Sequence, residues 1–145
     1  MKQKITILIV DDHQFFRNSL KLFISKKSKY EIIGEAKNGE EFLKFLEKQL
    51  PDIVLMDIEM PKINGVEATR IVKNYFGSQV KIIALSLFQD FYKIKEIIDA
   101  GAYGYLNKDN LTNHLELAIS TVLKGKLYVR DKELPNKTII NESKT

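Results

Sequence analysis

Residues 5–10 read Ile-Thr-Ile-Leu-Ile-Val, an almost continuous apolar and β-branched run. A run of that length suits a strand buried on both faces, which is the habit of parallel sheets. Tyr30 to Ala36, Ile53 to Met56 and Val80 to Leu85 repeat the pattern, the first of them weakened by Glu31 and Glu35. A shorter fifth run, Ala102 to Leu106, is flanked by Gly101 and Gly104. Between the runs, apolar residues recur at helical spacing: Phe16, Leu20 and Phe23; Phe42, Leu43 and Leu46; Val66, Ile71, Val72 and Tyr75; Phe91, Ile94 and Ile98; and Leu111, Leu115, Ala118, Ile119 and Val122. Asn38-Gly39, Pro51, Asn64-Gly65 and Gly101 punctuate the helices. Strands separated by helices pair in parallel through right-handed crossovers that cover both sheet faces. The expected fold is therefore α/β: a doubly wound five-stranded parallel sheet with five helices, over residues 1–125.

The chain has 145 residues, enough for one core. Past residue 125 the periodicity fades, so residues 126–145 read as a polar tail or the start of an interdomain linker. Residues 124–145 hold six Lys and Arg against three Asp and Glu, which accounts for three of the four net positive charges. The remaining body is nearly neutral and gives no basis for direct nucleic-acid binding. Without cysteine, disulfides, thiol nucleophiles and cysteine-ligated metals are excluded. No apolar stretch approaches the ~20 residues of a membrane helix, and no secretory cleavage site is evident near the start. A soluble cytoplasmic protein with no membrane partner is expected.

Ligands of open parallel α/β sheets bind beyond the carboxyl ends of the strands. The residues found there are Asp11 and Asp12 after the first run, Asp57 after the third, Ser86 after the fourth and Lys108 after the fifth. Taken singly, each has a plainer reading: Asp12 is placed to cap the helix starting near His13, Ser86 to serve a turn and Lys108 to sit in solvent. His13 itself reads as a first-turn helix residue. Together they form a set. Three carboxylates repel one another and call for a cation, and hard oxygen ligands suit Mg²⁺. With a hydroxyl and an ammonium added, the set fits phosphoryl transfer to one of the carboxylates.

Ile9-Val10-Asp11-Asp12-His13 with Arg17, Met56-Asp57-Ile58-Glu59-Met60-Pro61, Asn64-Gly65, Ala84-Leu85-Ser86 and Gly101-Ala102-Tyr103-Gly104-Tyr105-Leu106-Asn107-Lys108 resemble the receiver domain of two-component response regulators. The likeness runs from residue 4 to about 124 and is strongest to the NarL/FixJ subfamily, on a flavodoxin-like fold. It implies that Asp57 accepts a phosphoryl group from a sensor histidine kinase or phosphotransfer protein. It further implies Mg²⁺ held by Asp11, Asp12, Asp57 and the Glu59 backbone carbonyl, with Ser86 and Lys108 on the phosphoryl oxygens. Tyr105 takes the position of a switch aromatic that turns inward as Ser86 moves, changing the surface of the fourth helix, fifth strand and fifth helix. Phe88, Tyr92 and Tyr103 are read with equal weight as ordinary packing or as a partner surface, including that of a phosphorylation-dependent homodimer.

Two features depart from the family pattern: Asp109 follows Lys108 where many relatives have proline, and the bulky Leu87 follows Ser86. Such a protein is a catalyst only of its own phosphorylation and dephosphorylation. Its output is expected to be transcription through a DNA-binding domain that this sequence lacks. Alternatives are a stand-alone receiver, or a pseudo-receiver acting through protein contacts without phosphorylation. A Mg²⁺-dependent phosphohydrolase would need a cap for which there is no room, and a nucleotide- or flavin-binding domain would need a glycine-rich phosphate loop that is missing.

Overall fold

The structure is a computed structural model that describes residues 3–87 and 90–129. In order come β1 (Ile5–Val10), α1 (Gln14–Ser25), β2 (Tyr30–Ala36), α2 (Gly39–Leu46), β3 (Ile53–Asp57) and α3 (Gly65–Phe76). They are followed by β4 (Lys81–Ser86), α4 (Phe91–Ala100), β5 (Gly104–Asn107), α5 (Leu111–Leu123) and a two-residue β6 (Tyr128–Val129). The strands form one sheet in the order β2-β1-β3-β4-β5-β6 with every pairing parallel.

The apolar runs are continuous because each strand feeds two cores, successive side chains entering opposite faces. Ile7 and Ile9 of β1 and Ile53 and Leu55 of β3 meet α1 and α5 through Leu20, Ile24, Leu115 and Ile119. Leu8, Val10, Val54 and Met56 point to the other side, where Phe42 and Leu46 of α2, Val72 of α3 and Ile97 of α4 cover them. Asn38 and Asn64 cap α2 and α3, accepting from the amides of Glu41 at 2.8 Å and Glu67 at 2.9 Å. Two aromatics placed on helical stripes turn out exposed, Tyr75 at 79 % and Phe91 at 44 %. Among the described residues no helix is long and apolar enough to cross a membrane.

The doubly wound α/β expectation holds, with one correction: the sheet has six strands rather than five. After α5 the chain turns at Gly125, whose φ of 81° lies in the left-handed region, and returns alongside β5. The Tyr128 amide donates to the Tyr103 carbonyl at 2.9 Å, and Leu127, Tyr128 and Val129 are buried. The packed unit thus continues through Val129, past the boundary expected at residue 125. Residues 130–145, read as tail or linker, lie outside the described residues. So does Phe88. Of the aromatics read equally as packing or as partner surface, Tyr103 is buried and Tyr92 is exposed.

Ending the chain at Gly125 is expected to cost roughly 4.5 kcal/mol or more, from three buried apolar side chains at about 1.5 kcal/mol or above each. A urea melt of the shortened and full chains measures it; equal midpoints would mean that β6 contributes nothing.

Candidate functional site

The sheet changes winding direction between β1 and β3, and the carboxyl ends of those strands carry Asp11 and Asp57 into the crevice that opens there. Both side chains are buried. Asp11 Oδ1 accepts from the His13 amide at 2.8 Å, and Oδ2 accepts from Lys108 Nζ at 2.7 Å. Asp57 Oδ1 accepts from the Glu59 amide at 2.9 Å, and Oδ2 lies 3.4 Å from the same Lys108 Nζ. Lys108 follows β5, two strands from β3; its amide donates to the Ser86 carbonyl at 2.9 Å. The Phe16 ring of α1 lies 4.4 Å from Nζ, a cation–π contact that further steadies the ammonium.

Asp12 does not cap α1. The N-cap is His13, and no side chain caps that helix. Asp12 instead joins the cluster, so that ligand atoms of Asp11, Asp12, His13 and Asp57 all lie within 4.8 Å of one another. His13, read as a first-turn helix residue, belongs to this group: its Nδ1 is 3.3 Å from Asp11 Oδ1 and 3.2 Å from Asp12 Oδ1. The spacing of one sequence motif put it there, but only the turn of the β1–α1 loop brings its ring back to the carboxylates.

Arg17 reaches back from α1 to donate through Nη1 to the Asp11 carbonyl, while its Nε donates to Glu35 Oε1 at 2.7 Å. Lys21 pairs with the second Glu35 oxygen. These cations, Lys21 first and then Arg17, hold the Glu35 carboxyl below its usual range. Glu35 on edge strand β2 thereby anchors the guanidinium that fixes the acidic loop. The charge that weakens the apolar run of β2 is the signal that marks it, but its partner lies in another element.

On the opposite side, the β3–α3 loop closes over Asp57. A Cβ on Gly65 would come within 2.5 Å of the Ile58 Cα and 2.9 Å of the Asp57 carbonyl oxygen, so only glycine lets α3 start this close to the strand end. Ser86, buried at the end of β4, donates from Oγ to Glu59 Oε1 at 2.7 Å. Glu59 Oε2 lies 3.7 Å from Lys93 Nζ on α4. Leu87, next to Ser86, is exposed. Tyr105 stands apart from the acidic cluster. It is 1 % exposed and packs with Ile94 of α4 and Val129 of β6.

Burial pushes the Asp57 carboxyl up to about 6, and Asp11 adds to the rise, whereas the Glu59 amide and Lys108 oppose it. Three carboxylates face one lysine, which leaves a local excess of negative charge on hard oxygen donors. That donor set fits a divalent cation of the Mg²⁺ kind. A buried carboxylate that is ionised near neutral pH and lies beside an ammonium is equipped to attack an electrophile whose charge that group then compensates.

A family model for the response regulator receiver domain matches residues 7–120. The chain belongs to that family. It is 38 % identical over 136 residues to the transcriptional regulatory protein DegU of Brevibacillus brevis, covering 93 % of this chain and 57 % of that protein. It is 34 % identical over 125 residues to the response regulator UvrY of Escherichia coli strain K12, covering 86 % of this chain and 57 % of that one. A solved two-component response regulator of the LuxR family from Aurantimonas sp. SI85-9A1 superposes with a TM-score of 0.84 at 27 % identity, over 93 % of this chain and 95 % of that one. This receiver spans a little over half the length of the curated relatives it matches. The resemblance read from the strand-end motifs is borne out, as is the fold that it implied.

A raised carboxyl pKa means that folded Asp57 keeps its proton to higher pH than the unfolded chain does. The stability this lends is complete below the ordinary value of 3.8 and is lost as pH rises through about 6. In metal-free buffer, Asp57→Asn is therefore expected to melt a few degrees above wild type near pH 8, with the gap closing as the pH falls toward about 4. Thermal melts across that range check it; a gap that does not depend on pH would mean that Asp57 ionisation costs the fold nothing.

Proposed function

We propose that this receiver is a phosphorylation-controlled switch whose acceptor is Asp57. The observation that carries the reading is the placement of Asp57 itself: a buried carboxylate with a pKa of about 6, beside Lys108 at 3.4 Å and within the Asp11, Asp12 and His13 cluster. At neutral pH the carboxylate is largely ionised and able to act as a nucleophile. An oxygen of Asp57 attacks phosphorus of a phosphohistidine on a sensor kinase or phosphotransfer protein. The new O–P bond forms as the P–N bond breaks, and the imidazole leaves with the electron pair. Asp11, Asp12 and Asp57, with the Glu59 carbonyl, would hold Mg²⁺, which when bound would supply neutralisation of phosphoryl charge. Lys108 and the Ser86 hydroxyl take phosphoryl oxygens on the product.

Hydrolysis of the acyl phosphate by water resets the switch, so catalysis is confined to the protein's own phosphorylation state. The added dianion rewards an arrangement of Ser86 and Lys108 different from the resting one, and Tyr105 with α4 and β5 reads the difference as a surface change. Control of transcription is the output suggested by the names of the relatives that the chain covers in part. A cytoplasmic location and a phosphorylation-dependent homodimer are in keeping with this role. The nearly neutral body argues against direct nucleic-acid contact by these residues.

Incubation with acetyl phosphate and Mg²⁺ is expected to add one phosphoryl group, about 80 Da by intact-mass spectrometry, and Asp57→Asn to abolish the gain. No gain under any condition would favour a receiver that works without phosphorylation. Arg17→Ala, which frees the Asp11 carbonyl and the loop it fixes, is expected to weaken Mg²⁺ binding roughly tenfold, the lower range for loss of an outer-sphere partner. Calorimetric titration with Mg²⁺ measures the change; an unaltered affinity would make the Arg17–Glu35 pair a purely structural contact.

A further inference from the structure

A serine hydroxyl carries one proton and donates it to one acceptor at a time. Here the Ser86 proton goes to Glu59 Oε1 at 2.7 Å. The second Glu59 oxygen is 3.7 Å from Lys93 Nζ on α4, so the carboxylate stands between a hydroxyl and an ammonium. Its own amide donates to Asp57 Oδ1 at 2.9 Å, which keeps the residue beside the acceptor. An anionic oxygen held by the Ser86 hydroxyl next to Asp57 occupies the bonding role that an oxygen of a phosphoryl group on Asp57 would need.

We propose that Glu59 is an internal competitor for the Ser86 hydroxyl, which a phosphoryl group on Asp57 has to displace. The inference rests on Asp57 being the acceptor. Glu59 opposes the phosphorylated state in two ways, by retaining the proton donor and by presenting a like charge to the arriving dianion. Its side chain is 30 % accessible and that of Lys93 48 %, so once displaced the carboxylate can enter water at modest cost. Because Oε2 faces Lys93, displacement also breaks a charge contact with α4. The competition therefore connects occupancy of the acceptor to a helix and not to the loop alone. Glu59 acts through Ser86 and is a positioning residue.

Beryllofluoride is a tetrahedral phosphoryl analogue that does not hydrolyse, and its ¹⁹F resonance reports the bound fraction on the full chain at saturating Mg²⁺. Glu59→Ala is expected to bind it roughly tenfold more tightly, the scale of one charge-assisted hydrogen bond. Glu59→Gln keeps an oxygen for Ser86 without the charge and is expected to fall between alanine and wild type. In a Ser86→Ala background there is no proton to contest, so Glu59→Ala should yield only the smaller gain due to charge. An unchanged affinity in Glu59→Ala overturns the proposal. Equal gains with and without the Ser86 hydroxyl overturn it too, since Glu59 would then be only a nearby charge. A wild-type chain with no binding that depends on Asp57 gives a different result: the acceptor assignment falls, and the competition falls with it.

Discussion

Two buried carboxylates at neighbouring strand ends are tolerable only beside a buried cation, and the Lys108 ammonium supplies it, 2.7 Å from Asp11 and 3.4 Å from Asp57. Much of the fold serves that placement. The lysine arrives from β5, which is separated from β3 by β4, and the bond from its amide to the Ser86 carbonyl ties the two strand ends together. Phe16 of α1 closes the other side of the ammonium. One lysine against three carboxylates still leaves negative charge in excess, and that residue of charge makes the crevice receptive to a divalent cation instead of a closed ion pair.

The acidic loop is held from outside the crevice. Arg17 spans from the Asp11 carbonyl to Glu35, so edge strand β2, which sends no side chain to the carboxylates, still governs where they stand. The β3–α3 loop is held by contact rather than charge, through the backbone approach that Gly65 permits. The two sides of the crevice are thus set by different forces: a guanidinium bridge that can be loosened by removing one partner, and a steric fit that admits no Cβ.

Two routes lead to α4. One is polar, running from Ser86 through Glu59 to Lys93. The other is apolar: Tyr105 of β5 packs with Ile94 of α4 and Val129 of β6. The second route includes the last described strand, β6. A rearrangement at α4 has to be accommodated by both.

The alternation of strands and helices, the two-faced burial of β1 and β3, and the gathering of Asp11, Asp12, Asp57 and Lys108 were determined by the sequence alone. Continuous apolar runs declare strands with two buried faces, and the rule that ligands sit at carboxyl ends locates the chemistry. Ser86 was legible as a site residue for the same reason, but its partner was not. Glu59 with Ser86, Arg17 with Glu35 and His13 with the carboxylates are pairings between polar side chains of separate elements. Periodicity reports which side of an element is buried and carries no information on which polar groups meet across a loop. Tyr75 and Phe91 fit helical stripes yet lie at the margin of the buried face, where a stripe has no sharp edge. β6 was invisible because two residues have no period; its existence depends on the open edge of β5 and the turn at Gly125. Those arrangements were decided only by the tertiary structure, through the distances at which independently specified elements come to rest.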